Sequence, residues 1–169
     1  AMADFGAAFR ENFGVLHQSF DHKSVHFITL DNVSDPQGTL GEAQLAWMEA
    51  DLKGRDPQTP IVVLTHRPLF ELKRDWDWFT GDGAKAIALL QPFRNVTVFY
   101  GHIHQENRHM TGNITHVAAR SAMYPLPAPG SVPKKAPLPW NAGAADHGIG
   151  WRGIERAQAM FEIEDHPTA

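Results

Sequence analysis

Two five-residue apolar runs, Ile61-Val62-Val63-Leu64-Thr65 and Val96-Thr97-Val98-Phe99-Tyr100, constrain most tightly what this chain can fold into. Short runs of this kind read as strands covered on both faces, which is the environment of a parallel sheet. Between them Asp82 stands where a helix cap is wanted, and Ala86, Leu89, Leu90 and Phe93 recur at helical spacing until Pro92 forces an ending. Upstream, Ser24 to Asp31 has the pattern of a strand entering a sheet. It is followed by Leu45, Met48 and Leu52 at helical spacing within Glu42 to Lys53, with Gly54 as the stop signal. Strand, helix, strand, helix, strand predicts an α/β sheet with short crossovers, whose functional end is where the parallel strands stop. Residues 113–119 and 159–164 are further strand candidates, and the six prolines between 123 and 143 predict an irregular segment wrapped against the body.

Several function classes drop out on composition. Fifteen Lys and Arg against 19 Asp and Glu leave a formal charge of −4, so there is no nucleic-acid-binding signature and no basic surface for an anionic membrane. No stretch approaches the roughly 18 apolar residues of a membrane-spanning helix. The absence of cysteine removes disulfides, thiolate ligands and cysteine nucleophiles together. Ten histidines in 169 residues raise the question of metal instead. Nothing in the opening residues reads as a natural N-terminus, so both a cytoplasmic and an exported location stay open.

Both apolar runs end in histidine. The first leads into His66-Arg67-Pro68 and the second into Gly101-His102-Ile103-His104. An extended 102–104 segment would aim His102 and His104 to one side, with Gly101 permitting a tight turn. His66 at a neighbouring strand end adds a third imidazole where α/β proteins place their ligands. His109 and His116 lie close to this motif and read either as surface or sheet histidines or as part of it. Asp31-Asn32 ends a strand on the same side. The Trp76-Asp77-Trp78-Phe79 stretch reads either as an aromatic substrate wall or as packing over the sheet edge.

A strand ending in His-x-Pro, succeeded by one ending in Gly-His-x-His, resembles the C-terminal signature of the calcineurin-like metallophosphoesterase family. Further similarity lies in Ser19-Phe20-Asp21-His22-Lys23, in Gly41-Glu42-Ala43-Gln44-Leu45-Ala46-Trp47, and in residues 119–131, which are similar to a bacterial branch. The resemblance implies the C-terminal half of an αββα sandwich, with strands alternating with helices. Residues 1–169 would then be a single domain that is a fragment of a larger one, since the stretch from Phe5 to Gly14 resembles the segment just after the third of the family's N-terminal motifs. The Asp-x-His, Gly-Asp-x-x-Asp and Gly-Asn-His-Asp/Glu motifs themselves do not occur in residues 1–65.

By this resemblance His66, His102 and His104 are metal ligands, the first two on one ion and His104 on the other. The cofactors of the full-length protein are two transition-metal ions, with Zn, Fe, Mn and Ni all compatible with imidazole. The substrate is a phosphoester, hydrolysed as a monoester or diester, and Arg67 and Arg120 are candidates for its phosphate oxygens. Without the carboxylate that bridges two cations the chain alone is expected to be inactive, and a sheet edge left open would favour self-association. The alternative is a noncatalytic α/β module that binds partners.

Overall fold

The computed structural model of the chain describes residues 6–157 and 160–167. A short helix α1 (Ala7–Phe13) and a hairpin of β1 (Gln18–His22) and β2 (Val25–Thr29) precede α2 (Glu42–Leu52), β3 (Ile61–Thr65), α3 (Gly83–Leu90) and β4 (Val96–Tyr100). Two more hairpins complete the chain, β5 (Asn107–Thr111) with β6 (Ile114–Ala118), and β7 (Gly150–Ala157) with β8 (Met160–Pro167). The first six strands form one sheet in the order β1-β2-β3-β4-β6-β5. Its four central strands are parallel and both edges are antiparallel. This is the α/β alternation that the apolar runs predict.

Helices α2 and α3 cover one face of the sheet. Leu45, Met48 and Leu52 from α2 and Ala86 and Leu90 from α3 close over Ile28, Ile61, Val63, Val96, Val98 and Ile114. The β-branched residues suit a pleated surface, and the helical spacing presents one apolar stripe to it. Gln44 is buried at this interface without cost, because its side-chain amide accepts from the Asp31 amide and donates to the Asp31 carbonyl, each at 2.8 Å. On the other face the β7–β8 hairpin leans against Phe99, with the Phe99 and Phe161 rings 6.4 Å apart, and an apolar cavity of about 310 Å³ lies between them.

Three expectations need correction. Asp82 does sit ahead of α3, but its carboxylate makes no cap there. It accepts instead from the Leu40 and Gly41 amides at 2.8 and 2.9 Å and holds the entrance of α2, where Gly41 at φ 80° turns two donors toward it. Helix α3 ends at Leu90, and Phe93 packs from beyond it. The strand expected over 159–164 is β8, although Ala159 itself lies outside the described residues, and its pairing partner β7 has no sequence signal. Residues 123–143 are irregular up to the short turn at Ala142–Ala144, as their prolines predict. Among the described residues no helix is long and apolar enough to cross a membrane.

At the amino-terminal end of the parallel strands, away from the histidine motifs, His26 is fully buried between two carboxylates. Its Nδ1 lies 2.8 Å from Asp21 and its Nε2 2.6 Å from Asp51. The Ser19 hydroxyl donates to the other Asp51 oxygen at 2.6 Å, and Arg55 bonds Asp21 at 3.1 Å.

Candidate metal centre

The parallel pairing of β3 with β4 puts Thr65 opposite Tyr100, so the residues after each strand emerge side by side. The Gly101 amide donates to the His66 carbonyl at 2.9 Å and extends the ladder by one rung. Beyond it the backbone leaves the extended conformation. His102 and His104 are both left-handed, at φ 66° and 55°, whereas Gly101 has no positive φ. The two histidines are therefore not aligned by strand alternation, and the tight turn is not the glycine's. The residue between them explains the geometry: Ile103 is 1% exposed, driven into a cluster with Trp76, Trp78, Tyr100 and Ala118. Burying that one side chain turns both neighbours outward. A left-handed non-glycine residue costs roughly 1–2 kcal/mol, and two in three residues mark a backbone held in place by its surroundings.

His66 and His102 converge. His66 Nε2 lies 3.1 Å from His102 Nδ1, with the ring planes at 73°. The second nitrogen of His102, Nε2, donates to Asp77 Oδ1 at 3.0 Å. In the neutral ring Nδ1 is then the lone-pair nitrogen, and it accepts from His66 Nε2–H. Burial, reinforced by the neighbouring His102, Arg67 and His104, pushes His66 down to about 4. Burial also lowers His102, against the opposing pull of Asp77. Both are neutral imidazoles at pH 7, the form that binds metal.

Asp77 itself is left-handed at φ 54° and closes the turn at Arg74–Trp76. Burial works to raise its carboxyl, but the His102 hydrogen bond and the charges of Lys135 and Arg67 outweigh it and keep the group below the usual carboxylate range. Lys135 Nζ stands 3.2 Å from Asp77 Oδ1 and 2.5 Å from the Trp76 carbonyl, and Arg67 Nη1 stands 3.3 Å from Asp77 Oδ1.

His104 is held on the other side. Its Nδ1 donates to the Tyr124 carbonyl at 2.8 Å, which leaves Nε2 as the lone-pair nitrogen of the neutral ring, and the Tyr124 ring lies 4.5 Å away. Gln105 adds donations to the Leu126 and Pro127 carbonyls at 3.0 and 2.5 Å. The proline-rich segment thus touches the site through Tyr124, Leu126, Pro127 and Lys135.

The two phosphate candidates are otherwise engaged. Arg67 is buried and turned to Asp77, while the Arg120 side chain pairs with Glu106 at 2.6 Å. Asn32 is structural: its amide donates to the Arg67 carbonyl at 3.0 Å and accepts from the Arg67 amide at 3.1 Å, which pins the backbone just after His66. Asp31 accepts from Val33 and Ser34 in a local turn. Trp76 and Trp78 are core residues. His109 and His116 face each other across β5 and β6, with the buried His116 ring against Phe70.

Sequence reasoning missed Asp77, Lys135 and Tyr124. The one available signal was the pattern Trp76-Asp77-Trp78: two aromatics that must be buried force the acid between them to point elsewhere.

The donors present fit part of a metal centre. Two imidazole nitrogens on one tetrahedral ion at ≈ 2.0–2.1 Å stand about 3.3 Å apart, close to the 3.1 Å seen here, and the carboxylate behind His102 is the usual backing of a ligating histidine. No group of three His, Asp or Glu side chains among the described residues is arranged to hold an ion. The chain therefore carries a two-imidazole pair and not a closed site.

The chain resembles the calcineurin-like metallophosphoesterases in sequence and in fold. It is 28% identical over 120 residues to a 3',5'-cyclic-nucleotide phosphodiesterase of Nostoc sp., an alignment covering 67% of this chain and 45% of that protein. It superposes with a TM-score of 0.56 on a purple acid phosphatase from yellow lupin (Lupinus luteus) seeds, at 18% identity, over 92% of this chain and 31% of the lupin enzyme. The chain thus spans less than half the length of either. No family model matches it.

Proposed function

We propose that this chain is the C-terminal part of a metal-dependent phosphoesterase and supplies imidazole ligands to a centre that the rest of the domain completes. The observation that carries the proposal is the convergence of His66 and His102 from adjacent parallel strands, with Asp77 behind His102. The family likeness supports phosphoester hydrolysis as the reaction class and two transition-metal ions as its cofactor. When bound, such an ion pair polarises the phosphoryl group and lowers the pKa of water for an in-line displacement.

The chain's own residues have narrower tasks. Burial disfavours protonation of both rings; His102 then offers the lone pair of Nδ1, and His66 offers Nε2 once the proton of their mutual hydrogen bond has moved to its Nδ1. The Tyr124 carbonyl accepts a hydrogen bond from His104 Nδ1–H, which leaves Nε2 as the nitrogen open to an ion. Asn32 fixes the backbone that carries His66, and Ile103 fixes the backbone that carries the other two. Cyclic nucleotides, named for the Nostoc relative, are the first substrates to try on the whole protein.

Alone, the chain holds at most one ion weakly and turns over no phosphoester, since two close divalent cations need anionic compensation that the imidazoles do not give. The test is metal analysis after Zn²⁺ or Mn²⁺ loading, together with hydrolysis of bis-p-nitrophenyl phosphate. One equivalent or less and no turnover is expected. Turnover that disappears in His104→Ala would refute the claim of inactivity, and Zn²⁺ binding unchanged in His66→Ala would refute the ligand assignment.

A further inference from the structure

Asp77 is the most heavily used acid near the histidines, and the histidine motifs do not account for it. It takes a hydrogen bond from His102 Nε2, faces Arg67 Nη1 and Lys135 Nζ, and sits in a left-handed backbone conformation between two buried tryptophans. An imidazole with no fixed partner exchanges its proton between two nitrogens, so only part of its population offers a given nitrogen to a metal. An acceptor fixed on Nε2 removes that ambiguity. Lys135 comes from 58 residues further along the chain and ties the proline-rich segment to the same oxygen.

We propose that Asp77 is a positioning residue that locks His102 in its Nε2–H tautomer with Nδ1 turned toward His66, and that Lys135 keeps Asp77 in place by anchoring the proline-rich segment over it. The role rests on the metal-centre reading, because its purpose is to aim Nδ1 at an ion shared with His66. Arg67 fits the same scheme. Buried and unable to reach solvent, it counterbalances a carboxylate that would otherwise be poorly compensated.

The test uses the chain as it is, with Zn²⁺ as the probe. Proton–nitrogen correlation spectra read the tautomer of His102, and calorimetric titration reads Zn²⁺ affinity. Asp77→Gly removes the carboxylate while tolerating the left-handed backbone. Asp77→Asn keeps an acceptor oxygen. The Gly variant is expected to lose the single Nε2–H form and to bind Zn²⁺ roughly ten- to a hundredfold more weakly. The Asn variant keeps the tautomer, and Lys135→Met falls between Gly and wild type. A His102 that stays in the Nε2–H form in Asp77→Gly overturns the proposal, as does unchanged Zn²⁺ affinity in that variant when His66→Ala lowers it. Should His66→Ala leave Zn²⁺ binding intact, the metal-centre reading fails by itself, and the tautomer still decides whether Asp77 orients His102.

Discussion

His116 makes the stability of this protein depend on pH in a calculable way. The ring is completely buried on β6 against Phe70, and neither nitrogen has a hydrogen-bond partner among the described residues. Burial, with a smaller push from the neighbouring His109, takes it from the ordinary 6.5 down to about 4. Because the folded state resists protonation, the unfolded chain binds more protons between these two values, and stability falls as pH drops from 6.5 to 4. The full effect is about 3 kcal/mol for a shift of this size, with about 2 kcal/mol already lost at pH 5 and almost none at pH 7.5. Urea unfolding of wild type and His116→Leu at both pH values isolates it. Contributions from His66 and other groups away from His116 are common to both proteins and cancel, which leaves His116 with its smaller coupling to His109. Wild type is expected to lose about 2 kcal/mol more than His116→Leu on going from pH 7.5 to 5. Equal losses would mean that the buried ring is hydrated or leaves the core on protonation, and the reasoning from burial would be wrong.

Three further substitutions probe the scaffold. His26→Leu takes the imidazole from the largely buried Asp51, which keeps the Ser19 hydroxyl, and should cost about 3 kcal/mol in urea unfolding, part of it recovered by adding Asp51→Leu; a cost under about 1 kcal/mol would show the network to be solvated. Ile103→Ala should cost about 2 kcal/mol or more, in the range of buried Ile truncations, and should weaken Zn²⁺ binding as well; binding unchanged in a destabilised variant would separate the packing from the site. A methyl group added at Gly83 would stand 2.0 Å from the Leu69 carbonyl oxygen, so Gly83→Ala should lower the melting temperature by several degrees despite alanine's better helix propensity; a rise would show that α3 can shift.

Burial patterns were legible in the sequence wherever they were continuous. Strands β3 and β4 and helices α2 and α3 follow from runs and spacing, and β6 emerges within one residue of the expected start. Strand β2 lies within the strand pattern of residues 24–31, but β1 and the hairpin that joins them were not legible because the turn is Lys23-Ser24, both in left-handed backbone at φ 47° and 61°, where Asn-Gly would have announced it. Strand β5 reads Asn-Arg-His-Met-Thr, a mostly exposed edge whose polarity hides its pairing. At the site, the three histidines were visible as motif, while their geometry was not. Spacing of two suggests an extended strand, and only the burial of Ile103 and the tertiary contacts to Tyr124 and Asp77 reveal that each imidazole is aimed separately.

The pairing of Thr65 with Tyr100 joins residues 35 positions apart through two parallel strands with no turn to fix their alignment. A slip of one residue would carry one histidine about 3.3 Å past the other and send it to the opposite face of the sheet. The 3.1 Å approach of His66 to His102 is therefore a gauge of correct strand alignment. An ion that bridged them, as proposed, would bind only chains that have closed the sheet in register, and so would draw the folding equilibrium toward that alignment as its concentration rose.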